Sequence, residues 1–262
     1  MFFIVSFIKV NLYFILNLLK MRIKILINYS PNFSTYRRIR KNIKYLIYHY
    51  TGMISESKAI KRLTDVRSKV SCHYFIKRNG KIILMVPTNY DAWHAGKSNW
   101  KKDKSLNKKS IGIEISNNGH QFGYQNFSKK QINSVIRLSK FLIKKYNIKK
   151  TNILGHSDIA YERKKDPGEK FPWEHLSKNK IGIWHKKSKK DLKKMRNQKI
   201  SKIEEKKFFR FIYKIGYFPQ KQLSVKKINL VKSFQRHFRQ ESINGMIDKE
   251  CLFIAKELVN IK

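Results

Sequence analysis

The sequence predicts an α/β domain, a central mixed β-sheet with flanking helices, followed by a small all-α module of three helices. Three observations carry this. Short β-branched and aromatic runs mix with amphipathic helical patterns across residues 21–185. Residues 186–200 have almost no apolar content and read as a basic linker. Residues 201–262 then hold three short helical patterns.

The elements follow in chain order. Residues 1–20 are mostly apolar but are broken by Lys9, Asn11 and Asn17, with no small-residue cleavage site and no cysteine to carry an acyl group. They are a weak signal anchor, or Met21 is the true start. The preferred compartment is the periplasmic side of the cell envelope, and the cytoplasm if the chain starts at Met21. Tyr45, Ile47 and His49 alternate with Leu46, Tyr48 and Tyr50 in a strand that stops at Thr51-Gly52. Ser55 caps a short helix through Ala59, Ile60 and Leu63. Residues 73–76 and 81–86 form a hairpin around Asn79-Gly80. Ser128 and Gln131 make a capping box for a helix with Ile132, Val135, Ile136, Leu142, Ile143 and Tyr146 at helical spacing. Residues 152–154 are a second short apolar run, ending at Gly155-His156, and loop signals continue to Asp166-Pro167-Gly168. In the C-terminal part, helices are expected over 208–215, 230–238 and 249–258.

His49, His156 and Asp166 are the residues on which a function can be argued. Two imidazoles and one carboxylate are the donor set of an open catalytic zinc site, which leaves a fourth position to a water whose pKa the metal lowers. A lone histidine at the end of an apolar strand is more often a core or surface residue, but here two strand ends can face one ion. Glu114 interrupts the apolar strand 111–115, and a carboxylate there must find a metal, a cation or solvent. Trp93, Trp100 and Trp173 could offer flat faces to a ligand, or simply fill the core.

Several motifs together resemble the type 2 N-acetylmuramoyl-L-alanine amidases. They are His49-Tyr50-Thr51, Ser71-x-His73-Tyr74, Ala92-Trp93-His94-Ala95-Gly96 and Ser110 to Ile115, then Gly155-His156-Ser157-Asp158-Ile159-Ala160, the run from Arg163 to Gly168, and Phe171-Pro172-Trp173. They stand in the family's order over about residues 40–185. The resemblance implies a zinc hydrolase that cuts the amide between N-acetylmuramic, or anhydro-N-acetylmuramic, acid and the L-alanine of the peptide stem. It implies Zn2+ on His49, His156 and Asp166, with Glu114 as the acid-base residue and Lys164 as the cation that stabilises the oxyanion. It also implies peptidoglycan or muropeptides as the partner, and it puts His73 and His94 in motifs that line the substrate groove; His94 and Trp93 are read as groove residues and His73 as a structural one. Residues 234–239 and 244–248 resemble the three-helix peptidoglycan-binding module of some of these amidases, with a helical cap packed on the enzyme as the alternative.

Composition limits the other classes. The net charge of +42, from 59 Lys and Arg against 17 Asp and Glu, would ordinarily point to nucleic acid or an anionic surface. Lysine is nevertheless spread along the chain beside abundant Ile and Asn, as an AT-rich genome produces, and no nucleic-acid-binding signature appears. No nucleic-acid or protein partner is expected. A non-catalytic peptidoglycan-recognition module is the alternative function, and the complete set His49, His156, Asp166, Glu114 and Lys164 argues against it. Cys72 and Cys251 lack metal spacing and read as free thiols.

Overall fold

The computed structural model describes residues 23–218 and 225–261. The expected anchor at residues 1–20 and the choice of Met21 as the start lie outside the described residues. The central sheet has six strands: β1 (Ile25–Ile27), β2 (Tyr45–Tyr50), β3 (Tyr74–Ile76), β4 (Ile82–Leu84), β5 (Ser110–Ile115) and β6 (Ile153–Gly155). Their order is β1-β4-β3-β5-β2-β6, and every pairing is parallel except the β3–β4 hairpin. Among the described residues no helix is long and apolar enough to cross a membrane.

Side-chain parity divides this sheet into two faces, because successive residues of a strand point to opposite sides. Leu46 and Tyr48 of β2, with Ile111, Ile113 and Ile115 of β5, join the core under helix α2 (Lys129–Tyr146). Tyr45 and Ile47 belong to the opposite core. His49 continues that second parity, and the register sets Tyr45 beside Ser110, Ile47 beside Gly112 and His49 beside Glu114. One face is therefore wholly apolar. The other carries small and polar residues towards the C-terminal ends of β2 and β5, where open α/β sheets place their ligands.

Helix α2 begins as the sequence indicates. Ser128 Oγ accepts from the Gln131 amide at 3.1 Å, Gln131 Oε1 accepts from the Ser128 amide at 3.0 Å, and Asn147 closes the helix at φ 52°. Ser55 likewise caps α1 (Glu56–Thr64). The strand β6 leads straight into a one-turn helix, α3 (His156–Ile159), where loop was expected. Helix α4 (Trp173–Lys178) follows.

The C-terminal part differs from expectation in two ways. The basic segment 186–200 is more than an exposed connector: it contains α5 (Lys189–Met195), with Leu192 buried and Arg196 paired to the buried Glu250 at 2.7 Å. A single leucine among lysines is too weak a pattern to read as a helix face. The next helix, α6 (Lys202–Ile215), starts six residues before the expected 208, at a capping box of Ser201 and Glu204. Helix α7 (Val225–Phe238) likewise starts five residues before the expected 230, and α8 (Lys249–Val259) falls where expected.

These helices do not form a core of their own. Phe208, Ile212, Phe234, Phe238 and Ile254 join Tyr45, Ile47, Trp100, Leu154 and Ile159 of the α/β domain in one buried cluster. Gly216 admits the Trp100 ring so closely that a Cβ would lie 2.4 Å from it. Both cysteines are buried and free. Because Phe234 sits in this shared core at 0 % exposure, Phe234→Ala should cost about 3–5 kcal/mol and lower one calorimetric transition that includes the sheet. Two resolved transitions, with the second unmoved by the substitution, would show separate cores instead.

Candidate metal centre

His49 leaves β2, His156 opens α3, and Asp166 lies on the loop beyond it. The three meet at their ligand atoms. His49 Nδ1 is 2.9 Å from His156 Nδ1 and 3.1 Å from Asp166 Oδ2, and His156 Nδ1 is 3.0 Å from the same oxygen. All three residues are buried. The edges of this triangle are close to the roughly 3.3 Å expected between ligand atoms about 2.0–2.1 Å from a tetrahedral ion.

Hydrogen bonds outside the triangle settle which ring nitrogens carry protons. Ser110 Oγ donates to the Leu106 carbonyl at 2.6 Å, so it accepts from His94 Nε2 at 3.1 Å. His94 Nδ1 is then the acceptor for His49 Nε2 at 2.9 Å, which leaves the Nδ1 of His49 bare. His156 Nε2 lies 3.2 Å from the Ala95 carbonyl, which can only accept, so its Nδ1 is bare as well. Two lone pairs and a carboxylate oxygen thus converge with no proton among them. A cation satisfies all three at once, and the outer hydrogen bonds are those that orient metal-bound histidines. The donor set and its geometry are those that can hold a metal ion.

Electrostatics agree with ligation. Burial, and next the neighbouring His156, lower His49 to about 4, so it is neutral near pH 7. Burial also drives His94 and His73 well below the usual imidazole value.

The triangle opens on a pocket of about 550 Å³ lined by Glu114, Lys164, Trp93, His94, Arg62 and His120 among others. Glu114 stands beside His49 in register, and its Oε2 is buried without a hydrogen-bond partner. Burial first, and then the Asp166 charge, push this carboxyl up to about 8 against the pull of Lys164. Arg163, Lys164 and Lys165 all line the pocket; Lys164 is half-buried, and Arg163 and Lys165 beside it are exposed.

The remaining expected residues separate into groove and core. Trp93 lines the pocket, with its Nε1 on Ser34 Oγ at 3.2 Å. His94 also reaches the pocket, but both its nitrogens are spent on His49 and Ser110, so it orients a ligand. His73 is structural, accepting from the Gly112 amide at 3.0 Å and lying 2.7 Å from Arg38 Nη2. Trp100 and Trp173 offer no face to a ligand: the first packs on Tyr217, the second on Tyr48 and Phe171.

Three residues of the quoted motifs gain a role that the sequence did not assign. Ser110 fixes the His94 tautomer. Gly112 leaves room for the His94 ring, which a Cβ would meet at 2.4 Å. Arg163 ties the loop after α3 to the Ala95 and Lys97 carbonyls at 2.6 and 2.8 Å. The signal for the first two was the run of small and polar residues at 110, 112 and 114 on one side of an apolar strand. Arg163 was hidden among other cations.

Comparison with known proteins gives a consistent family. Residues 39–169 match the family described as N-acetylmuramoyl-L-alanine amidase. Over 230 residues the chain is 34% identical to the N-acetylmuramoyl-L-alanine amidase AmiD of Escherichia coli strain K12, covering 83% of this chain and 82% of that one. It is 41% identical over 107 residues to the 1,6-anhydro-N-acetylmuramyl-L-alanine amidase AmpD of Haemophilus influenzae, a match that covers 40% of this chain and 56% of that protein. A solved structure of E. coli AmiD with the substrate anhydro-N-acetylmuramic acid-L-Ala-D-gamma-Glu-L-Lys superposes with a TM-score of 0.74 at 31% identity, covering 86% of this chain and 91% of the other. AmpDh3 of Pseudomonas aeruginosa in complex with anhydromuramic pentapeptide gives 0.72 at 30% identity, with 86% and 92% covered.

The raised Glu114 makes a test in solution. Its ordinary value is 4.5, so between about 4.5 and 8 the folded protein holds a proton that the unfolded chain has released, and stability falls as pH rises through that window. Metal-free Glu114→Gln lacks this loss. Its Tm should match wild type near pH 5 and exceed it by roughly 5 °C at pH 8. Superimposable Tm curves across that range would mean that Glu114 is not desolvated.

Proposed function

The chain belongs to the N-acetylmuramoyl-L-alanine amidase family, and from that membership we propose that it is a zinc amidase acting on peptidoglycan fragments, with His49, His156 and Asp166 as the metal ligands. The bond cut joins N-acetylmuramic or anhydro-N-acetylmuramic acid to L-alanine. The anhydro form is the preferred substrate, because the AmiD and AmpDh3 structures that this chain resembles are complexes with anhydromuramyl peptides. One observation carries the reading: three bare acceptors converge beside a buried carboxyl oxygen that has no partner.

Zinc, when bound, supplies Lewis acidity and lowers the pKa of water in the open position. The chain's own residues do the rest. Glu114 lines the pocket and its Oε2 has no hydrogen-bond partner, so it can take a proton from the attacking water and return it to the leaving nitrogen. Lys164 places an ammonium on the pocket wall against the charge that develops on the amide oxygen. Trp93 offers a partly buried ring to the sugar or the stem. The non-catalytic alternative has no use for a desolvated, unpartnered Glu114 beside a complete ligand set.

The domain boundaries and the compartment are proposals of the same kind. The helical part from residue 201 is proposed to hold the cell wall in addition to packing on the enzyme. The periplasmic side is the proposed compartment, and fractionation of the native host tests it: a membrane-bound form favours an anchor in residues 1–20, and a soluble form beginning at Met21 favours the cytoplasm.

The activity is tested by mass spectrometry of purified muropeptides. Wild type should release the L-Ala-initiated stem peptide, lose this activity with a chelator and regain it with added zinc. Glu114→Gln and Lys164→Ala should each keep the metal and lose on the order of 100-fold in turnover. Lys165→Ala should be mild. Full turnover after verified metal removal, or equal losses at Lys164 and Lys165, would sink the assignment.

A further inference from the structure

Helix α3 is four residues long and carries a metal ligand as its first residue. One helical turn is not stable by itself, since nucleation fixes several residues for a single hydrogen bond. Something else must hold His156 in place, and the C-terminal helices supply it.

Asp158, two residues after His156, is 1 % exposed. Its Oδ2 accepts from the Gly155 amide at 2.7 Å, at the junction of β6 and α3. The same oxygen lies 2.7 Å from His237 Nδ1 of α7, and Oδ1 accepts from the Tyr217 hydroxyl at 2.6 Å. His237 is itself fixed, stacked between Trp173 at 3.8 Å and Phe238 at 3.9 Å. A buried carboxylate left without partners would carry a large desolvation cost. Two of its three partners come from beyond residue 215.

A second tie acts on the neighbouring peptide. Ser233 Oγ of α7 donates to the Ser157 carbonyl at 2.8 Å, while the Ser157 amide donates to the Asp166 carbonyl at 2.8 Å. That one residue links the backbones of two ligand-bearing segments, and α7 holds it. Further along the same loop, Gln240 Nε2 donates to the Glu169 and Phe171 carbonyls at 2.5 and 2.6 Å.

We propose that the C-terminal helices are a positioning element of the metal centre, acting on His156 through Asp158 and on Asp166 through Ser157, with Tyr217, Ser233 and His237 as the positioning residues. The inference rests on the metal reading above. It gives residues 201–262 a role in the α/β site that is independent of any hold on the wall. None of these side chains lines the pocket, so their effect must pass through the geometry of the ligands.

The test uses the full chain and reads zinc affinity, by competition with a chromophoric chelator, beside the Tm of the metal-free protein. Tyr217→Phe/Ser233→Ala removes two hydroxyls and keeps the ring against Trp100. Its zinc affinity should fall by about 10–100-fold, the range for lost outer hydrogen bonds at metal sites, beside a lower metal-free Tm from the unpaired Asp158 and Ser157 oxygens. Ile254→Val, which trims the buried core of α8, is the control: it should lower the Tm and leave zinc affinity as in wild type. Should the double variant fail to fold, Tyr217→Phe alone carries the test, with an expected loss of about tenfold. Wild-type zinc affinity in these folded variants overturns the proposal, as does an equal loss in Ile254→Val. A wild-type chain that binds no zinc would instead overturn the metal reading.

Discussion

Two imidazole lone pairs and a carboxylate oxygen held about 3 Å apart repel one another, and the rest of the site is arranged around that repulsion. Without a cation the cluster is a cost; with one it is a binding site. Keeping the acceptors together requires that each ring be prevented from turning its protonated nitrogen inward. The relay from Leu106 through Ser110 and His94 does this for His49, and the Ala95 carbonyl does it for His156. Each relay ends on a backbone carbonyl, a group with no alternative tautomer, so the assignment is fixed by the fold.

The cluster was legible in the sequence because its chemistry is sparse: few residues can bind a metal, and His49 and His156 stand at the ends of recognisable strands. The capping box of α2 and the β3–β4 hairpin were legible for a similar reason, since both depend on residues within a few positions of each other. What escaped was non-local. Ser110 gains its role only when residues 106 and 94 come beside it, and Arg163 only when the loop at 95–97 folds over it. The tryptophans at 100 and 173 show the opposite failure: composition made them candidates for a ligand face, and packing consumed them. Helix α5 was missed because its one buried residue, Leu192, is hidden among lysines whose charges say only that they meet water.

The division into an enzyme and an appended module likewise holds in sequence better than in space. The basic segment 186–200 looks like a spacer, yet Leu192 and Arg196 fasten it down, and the helices beyond it share a core with β2 and β6. Burial on this scale is a cohesive interaction, so the two parts are expected to respond together to heat or denaturant. The linear boundary near residue 186 marks a change of composition. It does not mark a gap in packing.

The parity of β2 has a consequence for how this protein can vary. Substitutions at Tyr45 or Ile47 alter packing by increments, and neighbouring side chains can adjust. A single residue inserted or removed between Tyr45 and His49 is different in kind, because it rotates everything beyond it by half a pleat. His49 would then point under α2 into an apolar layer, and Tyr48 or Tyr50 would occupy the metal side. The sheet could still form, and the chain would be an intact fold with its chemistry facing the wrong way. In this strand it is the number of residues, more than their identity, that drift cannot change.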